Sequence, residues 1–148
     1  GTLAIFTGYS GMGKSEFIDW LCYRYNVRYG HKVLYYSPEN STQLHLPKLI
    51  SKFTGKAYNN LRPEDRDRAL SYVCDNFFFF NYQKISKLSQ ILDLGATMVS
   101  DKGVSILVLD AFNKIETERP NEQTETEFVS KIMDALCNFA IKYNVMEK

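Results

Sequence analysis

Cysteine is scarce in this chain, and the three present, Cys22, Cys74 and Cys137, stand far apart with no CxxC pair among them. That spacing argues against a disulfide framework and against a thiolate zinc site, and predicts reduced, partly buried thiols. Histidine is scarcer still. His31 and His45 have no cysteine or carboxylate cluster beside them, so both are expected at the surface and neither on a metal. No run approaches the roughly 18 to 20 consecutive apolar residues of a membrane span, and no charged-then-apolar signal opens the chain, so a membrane is not expected as a partner. An excess of either charge is also missing. Lys and Arg number 18 against 17 Asp and Glu, a net charge of +1, which lacks the electrostatic footprint of a dedicated nucleic-acid binder. The first residue is Gly rather than Met, and the natural N-terminus is expected upstream.

What the chain does have is apolar material: 45% of its 148 residues are hydrophobic, enough for one domain with a core. Four short runs rich in Val, Ile, Phe and Tyr, at 3–7, 32–37, 77–81 and 105–110, read as strands. Most are apolar almost continuously, as strands covered on both faces of a parallel sheet are. Helical spacing lies between them. Phe17, Ile18, Leu21, Cys22 and Tyr25 form one face of a helix ending before Gly30. Leu44, Leu46, Leu49, Ile50 and Phe53 suggest a second, Pro63 opens a third, residues 85–99 a fourth, and Phe128, Ile132, Leu136, Phe139, Ala140 and Tyr143 stripe a last one over about 126–143. The polar, Glu-rich stretch 114–127 reads as a solvated loop. Strands alternating with helices predict an α/β layer fold with a mostly parallel sheet and helices on both faces.

Directly after the first apolar run comes GYSGMGKS, Gly8 to Ser15, which satisfies GxxxxGK[ST] between a strand and an amphipathic helix. Glycines at 8, 11 and 13 let the loop curl and turn its amides inward onto phosphate oxygens, at the positive end of the following helix. Gly8, Ser10, Gly11, Met12, Gly13, Lys14 and Ser15 are the candidate nucleotide cradle. Lys14 is a point charge suited to the β- and γ-phosphates, and the Ser15 hydroxyl to Mg²⁺. A triphosphate site also needs a carboxylate on the metal, and SILVLD, four aliphatic residues and then Asp110, supplies one at the end of a strand. Hydrolysis further needs a group to orient the attacking water. Ala111 follows Asp110, so that group must come from elsewhere. Glu39, after the second strand and at the same carbonyl edge, is the first candidate, with Glu16 and Glu116 as rivals.

GTLAIFTGYSGMGKSEFIDWL, HKVLYYSPENS and SILVLDAFNKI together resemble the RecA-type motor domain of DnaB-like hexameric replicative helicases, closest to the branch of Twinkle and the phage primase-helicases. The resemblance covers nearly the whole chain, although only the phosphate-loop motif is specific by itself. It implies a RecA-like P-loop ATPase core using ATP and Mg²⁺, with Lys14 and Ser15 as the phosphate-loop pair, Glu39 as the catalytic glutamate and Asp110 as the metal-holding acid. It also implies translocation on single-stranded DNA, unwinding of duplex, assembly into a hexamer, an accompanying primase domain or partner, and a cytoplasmic, bacterial or phage setting. Gly1-Thr2 departs from the family's usual Gly-Glu. In the family the last helix leads into a strand carrying a γ-phosphate sensor, then DNA-contacting loops and an arginine finger. That strand would begin near residue 144, so residues 1–148 are expected to be one core from a longer chain, binding Mg-ATP weakly and hydrolysing it poorly alone.

Three other readings stay open on the residues. One is a RecA-like recombinase or a clock or signalling ATPase without unwinding. The second is a small-molecule P-loop kinase, for whose arginine-bearing lid the best candidate region, 62–68, lies between the second and third strands rather than late in the chain. The third is a degenerate binding module, against which the joint presence of Lys14, Ser15, Glu39 and Asp110 speaks.

Overall fold

Turn residues divide the chain into alternating strands and helices, and the computed structural model describes residues 1–38, 41–81, 83–110, 112–115 and 124–147 of it. The elements are β1 (Thr2–Leu3), α1 (Lys14–Tyr29), β2 (Lys32–Tyr36), α2 (Thr42–Thr54), α3 (Pro63–Asn76), β3 (Phe77–Phe79), α4 (Leu88–Lys102), β4 (Val104–Leu109), α5 (Glu125–Tyr143) and β5 (Met146–Glu147). Short 3-10 turns occur at Tyr58–Asn60 and Phe112–Lys114. Gly30 ends α1 as its sequence predicts, its amide donating to the Asn26 carbonyl at 2.8 Å.

The five strands form one sheet in the order β1-β5-β4-β2-β3, every pairing parallel. Parallel neighbours require crossovers, and the helices supply them on both faces. Alternation along β2 splits the core. Val33 and Tyr35 face Ile18 and Cys22 of α1, Leu49 and Ile50 of α2 and Val73 of α3. Leu34 and Tyr36 face Ile91 of α4 and Phe139 and Ala140 of α5. In β4 the register against β2 slips between Lys32 and Val33, so that Val104 lies on one face and Ile106 on the other.

β5 lies between β1 and β4, the strand that precedes Asp110. Two expectations about the elements change. The first strand is hydrogen-bonded only at Thr2–Leu3, where β5 runs beside it, instead of over 3–7. The fourth helix spans Leu88–Lys102, about a turn later than the apolar spacing suggests, because Ile85 packs into the core from outside the helix.

Candidate nucleotide site

Between β1 and α1 the chain turns through Gly11 and Gly13 at φ 78° and 79°. Nothing stands within 4 Å of a Cβ built on either, so the demand for glycine comes from backbone conformation and not from space. Gly13 is the N-cap of α1, and no side chain caps it. The first intrahelical bond of that turn, from the Phe17 amide to the Gly13 carbonyl, is 2.9 Å long. The amides of Lys14, Ser15 and Glu16 precede it and have no helical acceptor, which leaves a cluster of donors at the positive end of the dipole. The loop is open: Gly8 to Gly13 are exposed, with Tyr9 and Met12 projecting and Ser10 in the turn between them. Lys14 folds back over it. Its stem passes 3.6 Å from the Cβ position of Gly8, and Nζ donates to the carbonyls of Gly8 at 2.7 Å and Tyr9 at 2.9 Å.

Asp110 follows β4, its amide donating to the Tyr36 carbonyl at 2.9 Å, so it leaves the sheet at the same end as the connection after β2. Thr7, directly before the glycine loop, and Leu109, directly before Asp110, line one cavity of about 260 Å³ together with Ile18 and Leu136. The loop and the acid thus share the carbonyl end of the sheet, where open α/β sheets take ligands. The cavity itself is walled mainly by apolar side chains, with Thr7 the polar exception. The amides at the start of α1 are the donors suited to an anion. Glu39, Ala111 and Glu116 lie outside the described residues, as does most of the Glu-rich stretch.

Glu16 does not present a free carboxylate. It bonds Lys52 at 2.6 Å and Lys48 at 3.2 Å, and the Lys52 hydrogen bond above all holds its pKa below the ordinary carboxylate range. A carboxylate so engaged is a poor proton acceptor. The 62–68 segment, the best candidate for a lid, instead makes the first turns of α3: Arg62 pairs with Asp65, and Arg66 lies over the Tyr58 ring.

The histidines correct the sequence reading most sharply. His31 is half-buried, bonded to Ser105 Oγ at 2.7 Å, and His45 is buried, its Nε2 within 2.8 and 2.9 Å of the two oxygens of buried Asp19. Leu44, assigned to the apolar stripe, is instead exposed. The signal was helical phase: His45 stands one turn before Leu49 on the buried side of α2. Below them Tyr35 is buried, and burial first, then the neighbouring Cys22 and Asp19, push its phenol well above the ordinary range. None of the three cysteines is in a disulfide: Cys22 is buried, Cys137 half-buried, and Cys74 exposed against expectation.

No protein-family profile matches the chain. It is similar to the Twinkle homolog protein, chloroplastic/mitochondrial, of Arabidopsis thaliana, at 27% identity over 151 aligned residues. The alignment takes in 95% of this chain and 21% of that protein, so the chain spans about a fifth of its relative's length. The similarity supports a distant relationship to the Twinkle and DnaB-like helicases, the group that the motifs resemble.

Proposed function

We propose that this chain is the nucleotide-binding core of a RecA-type helicase motor, taking Mg-ATP at the glycine loop and hydrolysing it to drive movement along single-stranded DNA within a hexameric ring. The observation that carries the reading is the open, uncapped start of α1 with Lys14 folded over it, at the sheet end where Asp110 also emerges. The distant similarity to a Twinkle homolog favours a helicase among P-loop ATPases.

The residues fit the ligand. Free amides and two glycines at positive φ suit the phosphates, Lys14 the β- and γ-phosphate charge, and Ser15 with Asp110 the magnesium. Bound Mg-ATP supplies the phosphoanhydride whose cleavage releases free energy. Lys14 exchanges two carbonyl acceptors for phosphate oxygens, and the α1 amides hold the chain of phosphates in line for attack. With Glu16 engaged by two lysines, Glu39 is assigned to orient and deprotonate the water, by its place three residues after β2. The rate on this chain alone should be low, because an arginine from a neighbouring subunit contributes on the order of 10³ to 10⁵ in such sites.

Titration with a fluorescent ATP analogue tests the pocket: Lys14→Ala should weaken binding at least tenfold, and equal affinity for parent and variant would remove the assignment. Single-stranded DNA should then stimulate phosphate release by the full-length protein, with strand displacement. Stimulated release without displacement would point to a RecA-like ATPase of another kind.

A further inference from the structure

Four side chains carry a buried polar atom with no hydrogen-bond partner among the described residues: the hydroxyls of Tyr35 and Ser37, Nδ1 of His45 and Nε of Arg66. Tyr35 and His45 belong to the cluster around Asp19, and the Arg66 guanidinium lies over the Tyr58 ring and reaches the carbonyls of Tyr58 and Leu61. Ser37 differs in its place. It is 6% exposed and follows β2 directly, at the sheet end that carries the glycine loop and Asp110.

The strand register says what stands beside it. Tyr35 pairs with Val108 and Tyr36 with Leu109, and the Asp110 amide continues the ladder by donating to the Tyr36 carbonyl at 2.9 Å. Ser37 and Asp110 therefore stand opposite each other at the ends of adjacent parallel strands. Tyr35 and Val108, two residues earlier in each strand, share the core face of Ile18 and Cys22 on α1. Alternation with period two returns Ser37 and Asp110 to that face, the one covered by the helix that follows the phosphate loop. The backbone bond fixes where the Asp110 side chain begins, but its own torsions decide how the carboxylate turns. A neighbouring hydroxyl can set that turn, because it has a proton to donate and a carboxylate only accepts. Left unpaired in the interior, the same hydroxyl costs stability, and the cost is recovered only in a state where it has a partner.

We infer that Ser37 is a positioning residue for the metal: in the nucleotide-bound state its hydroxyl donates to the Asp110 carboxylate and turns the remaining oxygen toward Mg²⁺. The inference rests on the ATPase reading above, in which Asp110 holds the metal. Removing a group that orients a metal ligand typically changes metal affinity by roughly 10- to 100-fold. A structural hydroxyl and a positioning one differ in sign. Loss of the first destabilises the ligand-free chain, whereas loss of the second relieves it of an unpaired polar group and weakens only the magnesium-dependent part of nucleotide binding.

The test titrates a fluorescent ATP analogue into the full chain, once with Mg²⁺ and once with a chelator, and melts the ligand-free chain, for the parent, Ser37→Ala, Asp110→Asn and Lys14→Ala. The ratio of the two Kd values is the magnesium advantage. In Ser37→Ala this advantage should fall about tenfold or more, while the Kd with chelator stays within about threefold of the parent. Its ligand-free melting midpoint should equal or exceed that of the parent. If Ser37→Ala does not fold, Ser37→Cys, which nearly keeps the volume and offers only a weak donor, gives the same readout. An unchanged magnesium advantage in the folded Ser37 variant, or a lower midpoint with both Kd values weakened alike, overturns the inference while leaving the ATPase reading intact. A magnesium advantage retained by Asp110→Asn overturns it too, because the metal then sits elsewhere. A parent that binds no more tightly than Lys14→Ala would instead overturn the ATPase reading, and the inference with it.

Discussion

Lys14 carries more of the argument than any other residue, and its geometry says what a substitution should do. Its ammonium rests on two carbonyls of its own loop, a compact head satisfied by backbone oxygens until phosphate oxygens replace them. A guanidinium is planar and wider, so Lys14→Arg keeps the charge but misplaces it. Single-turnover hydrolysis should fall at least tenfold in that variant; a parental rate would show that charge alone suffices. Glu16 makes a different prediction. Its folded pKa is depressed, so the stability it contributes is present above the ordinary 4.5 of the unfolded chain and is lost as pH falls through the lower folded value. With half of each of Glu16 and Lys48 exposed, solvent screening limits the gain to about 0.5 kcal/mol or less. Glu16→Gln should therefore lower the unfolding midpoint slightly at pH 7 and not at all near pH 3, as thermal melts at the two pH values would show. Lys14 was legible because its neighbours form a motif. Asp19 and His45 were not, because a buried acid and its histidine partner 26 residues away leave no local pattern.

Elements were legible where their stop signals are strong. Gly30 ends α1 as its spacing predicts, Gly55 and Gly103 end α2 and α4 in the same left-handed conformation, and α5 starts at Glu125, within a residue of the expected 126. A capping box marks that start. The Thr124 amide donates to Glu127 Oε2 at 3.2 Å, and the Thr124 hydroxyl accepts from the Glu127 amide at 3.3 Å, in a T-x-x-E spacing that charge counting overlooks. Thr124→Ala should cost about 1 kcal/mol, read as a lower denaturant midpoint at unchanged slope. An unaltered midpoint would mean that α5 is held by its apolar face alone, through Ile132, Leu136 and Phe139. The length of β1 was misjudged for a different reason. Ala4 to Thr7 are apolar enough for a strand, yet a strand needs a partner, and β5 runs beside β1 only at Thr2–Leu3.

At the scale of the whole molecule, the layered α/β fold was legible because β2 and β4 are apolar on both faces. Strand order was not, because Met146–Glu147 has no apolar signature to mark it as the strand between β1 and β4. That arrangement puts the glycine loop and Asp110, the proposed binding groups, at one sheet end, and on that proposal a ligand is coupled to global stability. Anything that binds only the folded chain stabilises it by about 2.7 kcal/mol at a hundredfold excess over Kd. For a domain of about 150 residues, this moves the melting midpoint by roughly 5 to 10 °C. The magnesium contribution should pass through Asp110, whose backbone is pinned to β2 by the Tyr36 carbonyl and whose place after β4 puts it at the carbonyl edge. In the parent the shift given by ATP with Mg²⁺ should exceed that with ATP and a chelator. In Asp110→Asn, which keeps the shape and removes the charge, the two shifts should coincide. If the variant retains the full magnesium-dependent increment in a thermal melt, the metal is held elsewhere and Asp110 is only the residue that ends its strand.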